Sequence, residues 1–189
     1  NTPHTGVMAY DEKYPKIPHA ALTMEDAMML GRLYDRGEKI IIKLYMEAQT
    51  LPDRWSKNII SELVGSTFPD EVIVIGGHID SWDVGQGVHD DAGGCIAAWE
   101  ALRLIKKLGL KPKRTIRCVL WTNEENGSRG NQAYRDMVRE QIDNQILAIE
   151  SDAGVFAPKG FGFTGSDQAR TMVSDIHKLL EPIGAQNLS

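Results

Sequence analysis

Cysteine is scarce: Cys95 and Cys118 are the only two in 189 residues. They are not a CxxC pair, so a zinc-thiolate site and a dithiol redox motif are excluded. Two buried free thiols are expected instead. Positive charge is also short. Lys and Arg total 21 against 26 Asp and Glu, a net charge of −5, and no basic run of useful length occurs. That balance argues against a nucleic-acid partner. No apolar run is long enough for a membrane-spanning helix, and no signal-peptide pattern is visible. The first residue is Asn, not Met, so the chain is expected to be processed, trimmed or a piece of a larger protein.

The remaining composition is that of a folded domain. Hydrophobic residues make up 42% and charged residues 25%, enough for a full core in one domain or one and a part. Thr23 offers an N-cap and Asp26 the capping-box acid for a helix over MEDAMMLGRLYDRG, with Gly37 as its stop. Its methionines Met24, Met28 and Met29 are expected to pack in a core. KIIIKLYME (39–47) reads as a strand. The polar, proline-containing QTLPDRWSK is the best domain boundary.

Strands then alternate with helices. NIISELVG (58–65), EVIVIGG (71–77), RTIRCVLWT (114–122) and NQILAIESD (144–152) read as strands, with a turn at Pro69 between the first two. CIAAWEALRLIKKLG (95–109), RGNQAYRDMVREQ and SDQARTMVSDIHKLLEP read as helices, the last capped by Ser166. This alternation predicts an α/β three-layer sandwich with a largely parallel central sheet, which binds ligands at the carboxyl ends of its strands.

Acidic groups gather at those ends. GGHIDSWDVGQGVHDDAGG (76–94) holds two histidines, four aspartates and six glycines in nineteen residues. Carboxylates this dense repel one another unless a cation sits among them. His78 and Asp80 follow one strand, Glu124 and Glu125 a second, and Asp152 a third. Any single one of them is more often a loop acid facing water; three strand ends together favour a site. Asp90 could bridge two ions, with His78 and Asp152 on one side and Glu125 on the other. Nitrogen and oxygen ligands without thiolate fit zinc or a similar first-row ion better than calcium. Asp80 is placed to orient the His78 ring, and Glu124, beside a metal-binding neighbour, is free to take a proton from water. The glycine pairs at 76–77 and 93–94 are expected to let the backbone turn tightly. Asp83 and Asp91 read as outer groups or solvated acids. His177 reads as mid-helix on a solvated face, and Arg129 as a surface residue. Trp82 either walls a substrate pocket or caps the core.

With these residues in view, the chain resembles the M28 family of co-catalytic zinc peptidases. GHIDSWDVGQGVHDDAGG, LGLKPKRTIRCVLWTNEENG and ESDAGVFAPKGFGFTGS carry the resemblance, with HxD, DDxGG, EE and ESDAG in order. It implies two zinc ions, or manganese or cobalt in their place. His78 and Asp152 would hold one ion, Asp90 would bridge, and Glu125 would hold the second. Glu124 would be the general base and Asp80 the partner of His78, and the Asp90–Asp91 peptide would be cis. Residues 1–50 would be the tail of a protease-associated insert domain and 51–189 part of a zinc-exopeptidase-like catalytic domain. The fifth ligand of the family pattern is a histidine beyond residue 189, and His89 is the nearest stand-in within the chain.

The implied activity is hydrolysis of dipeptides or short peptides in a secreted or lysosomal setting, by a homodimer. The sequons Asn126-Gly127-Ser128 and Asn187-Leu188-Ser189 lean weakly toward secretion. A glutaminyl cyclase-like single-zinc acyltransferase and a non-catalytic binding domain of the same fold are the competing readings.

Overall fold

The computed structural model describes residues 10–189 except 48, 50 and 84. Helix α1 spans Met24–Asp35, and Thr23 Oγ1 accepts the Asp26 amide at its start. Gly37 follows with a left-handed φ of 76°. The expected core role for its methionines does not hold. No residue of α1 is buried, and Met24, Met28 and Met29 are all exposed. Residues 39–47 form no strand either. An apolar, β-branched run becomes a strand only where a ladder partner meets its backbone, and among the described residues none pairs with it.

The sheet is built by β1 (Ile59–Leu63), β2 (Phe68–His78), β3 (Arg114–Trp121) and β4 (Gln145–Glu150), in the order β1-β3-β2-β4. β2 runs parallel to both β3 and β4, and β1 is antiparallel to β3. Pro69 lies inside β2 and not in the expected turn. The β2–β3 register shifts between Phe68 and Val72, so the missing proline N–H falls where the ladder is already irregular.

Helix α2 (Ala92–Lys107) crosses one face between β2 and β3, and α3 (Arg129–Met137) crosses the other between β3 and β4. The period-2 alternation of the strands divides the core between them. Val72, Val74, Val119 and Trp121 meet Tyr134 and Val138 on one side. Cys118, Ile75 and Ile116 meet Ala98 and Leu102 on the other. Each fully buried aliphatic side chain here contributes about 1.5–3 kcal/mol. β2 and β3 thus send their connections to opposite faces, which opens a crevice at their carboxyl ends. Among the described residues, no helix is long and apolar enough to cross a membrane.

Helix α4 (Asp167–His177) begins at Ser166, whose hydroxyl accepts the Ala169 amide. A short parallel pair is formed by β5 (Gly160–Phe161), which precedes it in the chain, and β6 (Asn187–Leu188), which follows it. His177 ends α4 and is buried, its ring edge-on to Phe161 with centroids 6.2 Å apart. The solvated reading fails because the Phe161 ring of β5 lies against the His177 ring. Residues 51–58 carry no regular structure, yet they are tied to the start of α3. Asp53 pairs with Arg129 at 2.5 Å, and the Asn58 side chain donates to Gly130 O and accepts the Thr122 amide.

Both cysteines are buried free thiols. Burial, reinforced by Asp91, pushes the Cys95 thiol up to about 11 from 9.0, and burial also raises Cys118. The folded chain therefore keeps the proton that the unfolded chain releases first, and Cys95 lowers stability as pH rises from about 9 to 11. Labelling by iodoacetamide at pH 8 is expected to be about a hundredfold slower in the native than in the denatured chain. Comparable rates in the two states would contradict the burial.

Candidate metal centre

Three parallel strands deliver the site. β2 ends at His78, β3 is followed by Glu124 and Glu125, and β4 by Asp152. His78 is 1% exposed. Its Nδ1 lies 2.9 Å from the main-chain carbonyl of Asp80. Its Nε2 lies 3.0 Å from Asp90 Oδ1 and 3.2 Å from Asp152 Oδ1. Ligand atoms of His78, Asp90 and Asp152 all fall within 4.8 Å of one another, an arrangement able to hold a metal ion.

The donor set can be tested against that use. A carbonyl at Nδ1 makes that nitrogen the N–H bearer of a neutral ring, so the lone pair of Nε2 points at two carboxylates. Either the ring is a cation or a cation lies between them. Burial opposes charge on His78, but the Asp80 carbonyl and the carboxylates of Asp152, Asp91 and Asp90 raise its pKa. Glu125 points the same way. Its Oε1 is buried with no hydrogen-bond partner among the described residues. Burial and then Asp90 raise its pKa, with further repulsion from Glu124 and Asp80 and only His78 opposing. An orphaned carboxylate oxygen facing other acids suits a divalent ion. Glu125 stands outside the group of three, close enough for Asp90 and His78 to act on it.

Asp80 reaches the second strand end. Its two carboxylate oxygens accept the amides of Glu124 at 2.9 Å and Glu125 at 3.3 Å. Asn123 enters this turn at a left-handed φ of 61°, a conformation Asn tolerates better than most residues. A cavity of about 700 Å³ opens beside it, bordered by Asp80, Ser81, Asn123, Asn126 and Arg129. Trp82 is half-buried. His89 is not brought to the cluster; its ring packs against Phe156, with centroids 5.0 Å apart.

Asp91 takes the first of its two expected places, an outer group behind His78, and adds a helix cap that was not expected. It is 1% exposed, not solvated. Oδ1 accepts the Gly94 amide and Oδ2 the His78 amide, each at 3.0 Å, so one carboxylate caps α2 and ties it to the end of β2. Burial raises its pKa while these two amides oppose the rise. The signal was available: an aspartate directly before a helix that starts at Ala92 is an N-cap. Starting the helix at Cys95 hid it. The Asp90–Asp91 peptide is cis.

Helices on both faces of a largely parallel sheet, with an imidazole and carboxylates converging at the strand ends, define an α/β protein fitted to a divalent cation. Residues 58–189 match Peptidase family M28, and the chain belongs to that family. It is 50% identical over 182 residues to carboxypeptidase Q of Mus musculus and of Homo sapiens, covering 96% of this chain and 39% of each relative. The chain thus spans about two fifths of the length of these relatives. A probable leucine aminopeptidase 2 of Aspergillus oryzae is 27% identical over 126 residues, 67% of this chain and 24% of that protein. The crystal structure of a peptidase M28 precursor from Shewanella amazonensis SB2B superposes with a TM-score of 0.88 at 34% identity. It covers 99% of this chain, which spans 42% of that structure.

Proposed function

We propose that the protein carrying this chain is a metal-dependent exopeptidase that hydrolyses dipeptides or short peptides. The observation that carries this reading is the convergence of His78, Asp90 and Asp152 within 4.8 Å at the strand ends, beside the Glu124–Glu125 turn. In this reading His78 and Asp152 would hold one zinc ion and Glu125 a second, with Asp90 shared between them; manganese or cobalt could replace zinc. Divalent ions there supply Lewis acidity toward a peptide carbonyl and toward water. The chain's own residues do the rest. Glu124 takes a proton from the attacking water as the C–O bond forms, then passes it to the amine as the C–N bond breaks. Asp80 holds the parts in register.

The domain reading belongs here too, with residues 1–50 the tail of a protease-associated insert domain and 51–189 part of the catalytic domain. So do a secreted or lysosomal setting and a homodimer. The relatives named carboxypeptidase Q and leucine aminopeptidase support an exopeptidase over a transferase.

The test is metal content by elemental mass spectrometry for the chain and for His78→Ala. The chain is expected to bind zinc, and the variant to lose at least one equivalent. Equal zinc in both would remove His78 from the ligand set. In the protein that carries this chain, free dipeptides should be cleaved and peptides blocked at both ends should not.

A further inference from the structure

Asp80 neighbours the candidate ligand His78, and the obvious role for its carboxylate is to orient that imidazole. The distances give the job to a different atom. The nearest partner of His78 Nδ1 is the Asp80 main-chain carbonyl at 2.9 Å, whereas the carboxylate oxygen lies 3.7 Å away, outside hydrogen-bond range. The carboxylate is engaged elsewhere, on two consecutive amides 44 and 45 residues along the chain, those of Glu124 and Glu125.

We infer that Asp80 is a positioning residue for the Glu124–Glu125 turn through its carboxylate, while its main-chain carbonyl alone sets the His78 ring. This rests on the reading above in which Glu124 is the base. The turn has little else to fix its first half. Glu124 O accepts the amides of Gly127 and Ser128, which closes the turn behind the glutamates. Nothing in that closure sets the direction in which Glu124 and Glu125 leave β3. A carboxylate accepting two adjacent N–H groups does, because both donors must point at one rigid, planar group. Asp80 thereby spans the carboxyl ends of β2 and β3 and couples the position of the base to that of the ligand. An error of about 1 Å in such a group costs on the order of a hundredfold in rate.

The two roles separate cleanly in an experiment on the metal-free chain. Amide-resolved hydrogen exchange is measured for the chain, Asp80→Ala and Asp80→Asn, with the Val74 amide in the core as the reference for global opening. Zinc affinity is measured by titration on the same three proteins. In Asp80→Ala, the Glu124 and Glu125 amides are expected to exchange at least about tenfold faster with Val74 unchanged. Zinc affinity should stay within about threefold, because the carbonyl that holds His78 is retained.

Asp80→Asn keeps one acceptor oxygen and places an NH2 against the other amide. It should release one of the two amides, and it serves if the alanine variant exposes Val74. Where peptidase activity is present, kcat should fall while KM changes little. Unchanged exchange at both glutamates with a 10- to 100-fold loss of zinc affinity would overturn the inference and return the carboxylate to His78. Faster exchange at the glutamates with unchanged kcat would instead leave the clamp standing and remove Glu124 as the base.

Discussion

Glu124→Gln is expected to lower kcat by about a thousandfold in the peptidase-active protein while zinc content stays unchanged. Gln keeps the shape of the side chain and its hydrogen-bonding reach, and it removes the ability to take a proton. The Asp80 clamp acts on the Glu124 main chain, so the substitution leaves the turn where it is. Glu125 provides the contrast. In the proposed reading Glu125 is a ligand, and its Oε1 has no hydrogen-bond partner among the described residues, so Glu125→Gln should lower zinc content as well as rate. The pair of measurements separates two adjacent acids with different work. If Glu124→Gln retains turnover within about tenfold of the parent, another group carries the proton. If it loses zinc, the assignments of the two glutamates are exchanged.

The largest expected effect on stability comes from a glycine. Gly94→Ala places a Cβ 1.8 Å from the main-chain oxygen of Ser151, and 2.3 and 2.8 Å from the two carboxylate oxygens of Asp91. None of these is the end of a flexible side chain. Ser151 follows β4 and its amide is bonded to Gly76 O, and Asp91 is buried with both oxygens engaged. Relief would have to part α2 from the sheet and break the cap that holds His78. Urea unfolding is expected to show a loss of about 3 kcal/mol or more, at the upper end for overpacking.

Gly109→Ala is the control. Gly109 ends α2 at a φ of +67° with nothing within 4 Å of its would-be Cβ, so only backbone strain of about 1 kcal/mol applies. A loss at Gly94 no larger than at Gly109 would mean that α2 is free to shift.

This pair also shows how glycine misleads a sequence reading. Gly76, Gly77, Gly93 and Gly94 were expected to allow tight turning. Gly76 and Gly77 instead lie within β2, and none of the four has a positive φ. What Gly76 and Gly94 provide is close approach. A Cβ on Gly76 would meet Val119 O at 2.0 Å and the Trp121 ring at 2.5 Å. Two consecutive glycines look the same in a sequence whether they serve φ or contact, because the neighbour comes from a distant part of the chain.

The sequence by itself determined what depends on local period and chemical type. Short runs rich in apolar and β-branched residues over 71–77 and 114–121 make strands, 3.6-residue spacing over 95–107 makes a helix, and strand–helix alternation makes a largely parallel sheet. Because such a sheet aligns its carboxyl ends, the acids at those ends could be singled out before any coordinate was known. Tertiary structure decided what depends on partners. It left 39–47 without a ladder and the methionines of α1 in solvent, and it buried His177 against the Phe161 ring. It also decided that Asp91 caps a helix while holding His78, and that Asp80 reaches Glu124 and Glu125. The physical reason is range. Secondary structure follows from neighbours a few residues away, whereas a hydrogen bond is directional and ends near 3.5 Å, so its partner is fixed only once remote segments are packed.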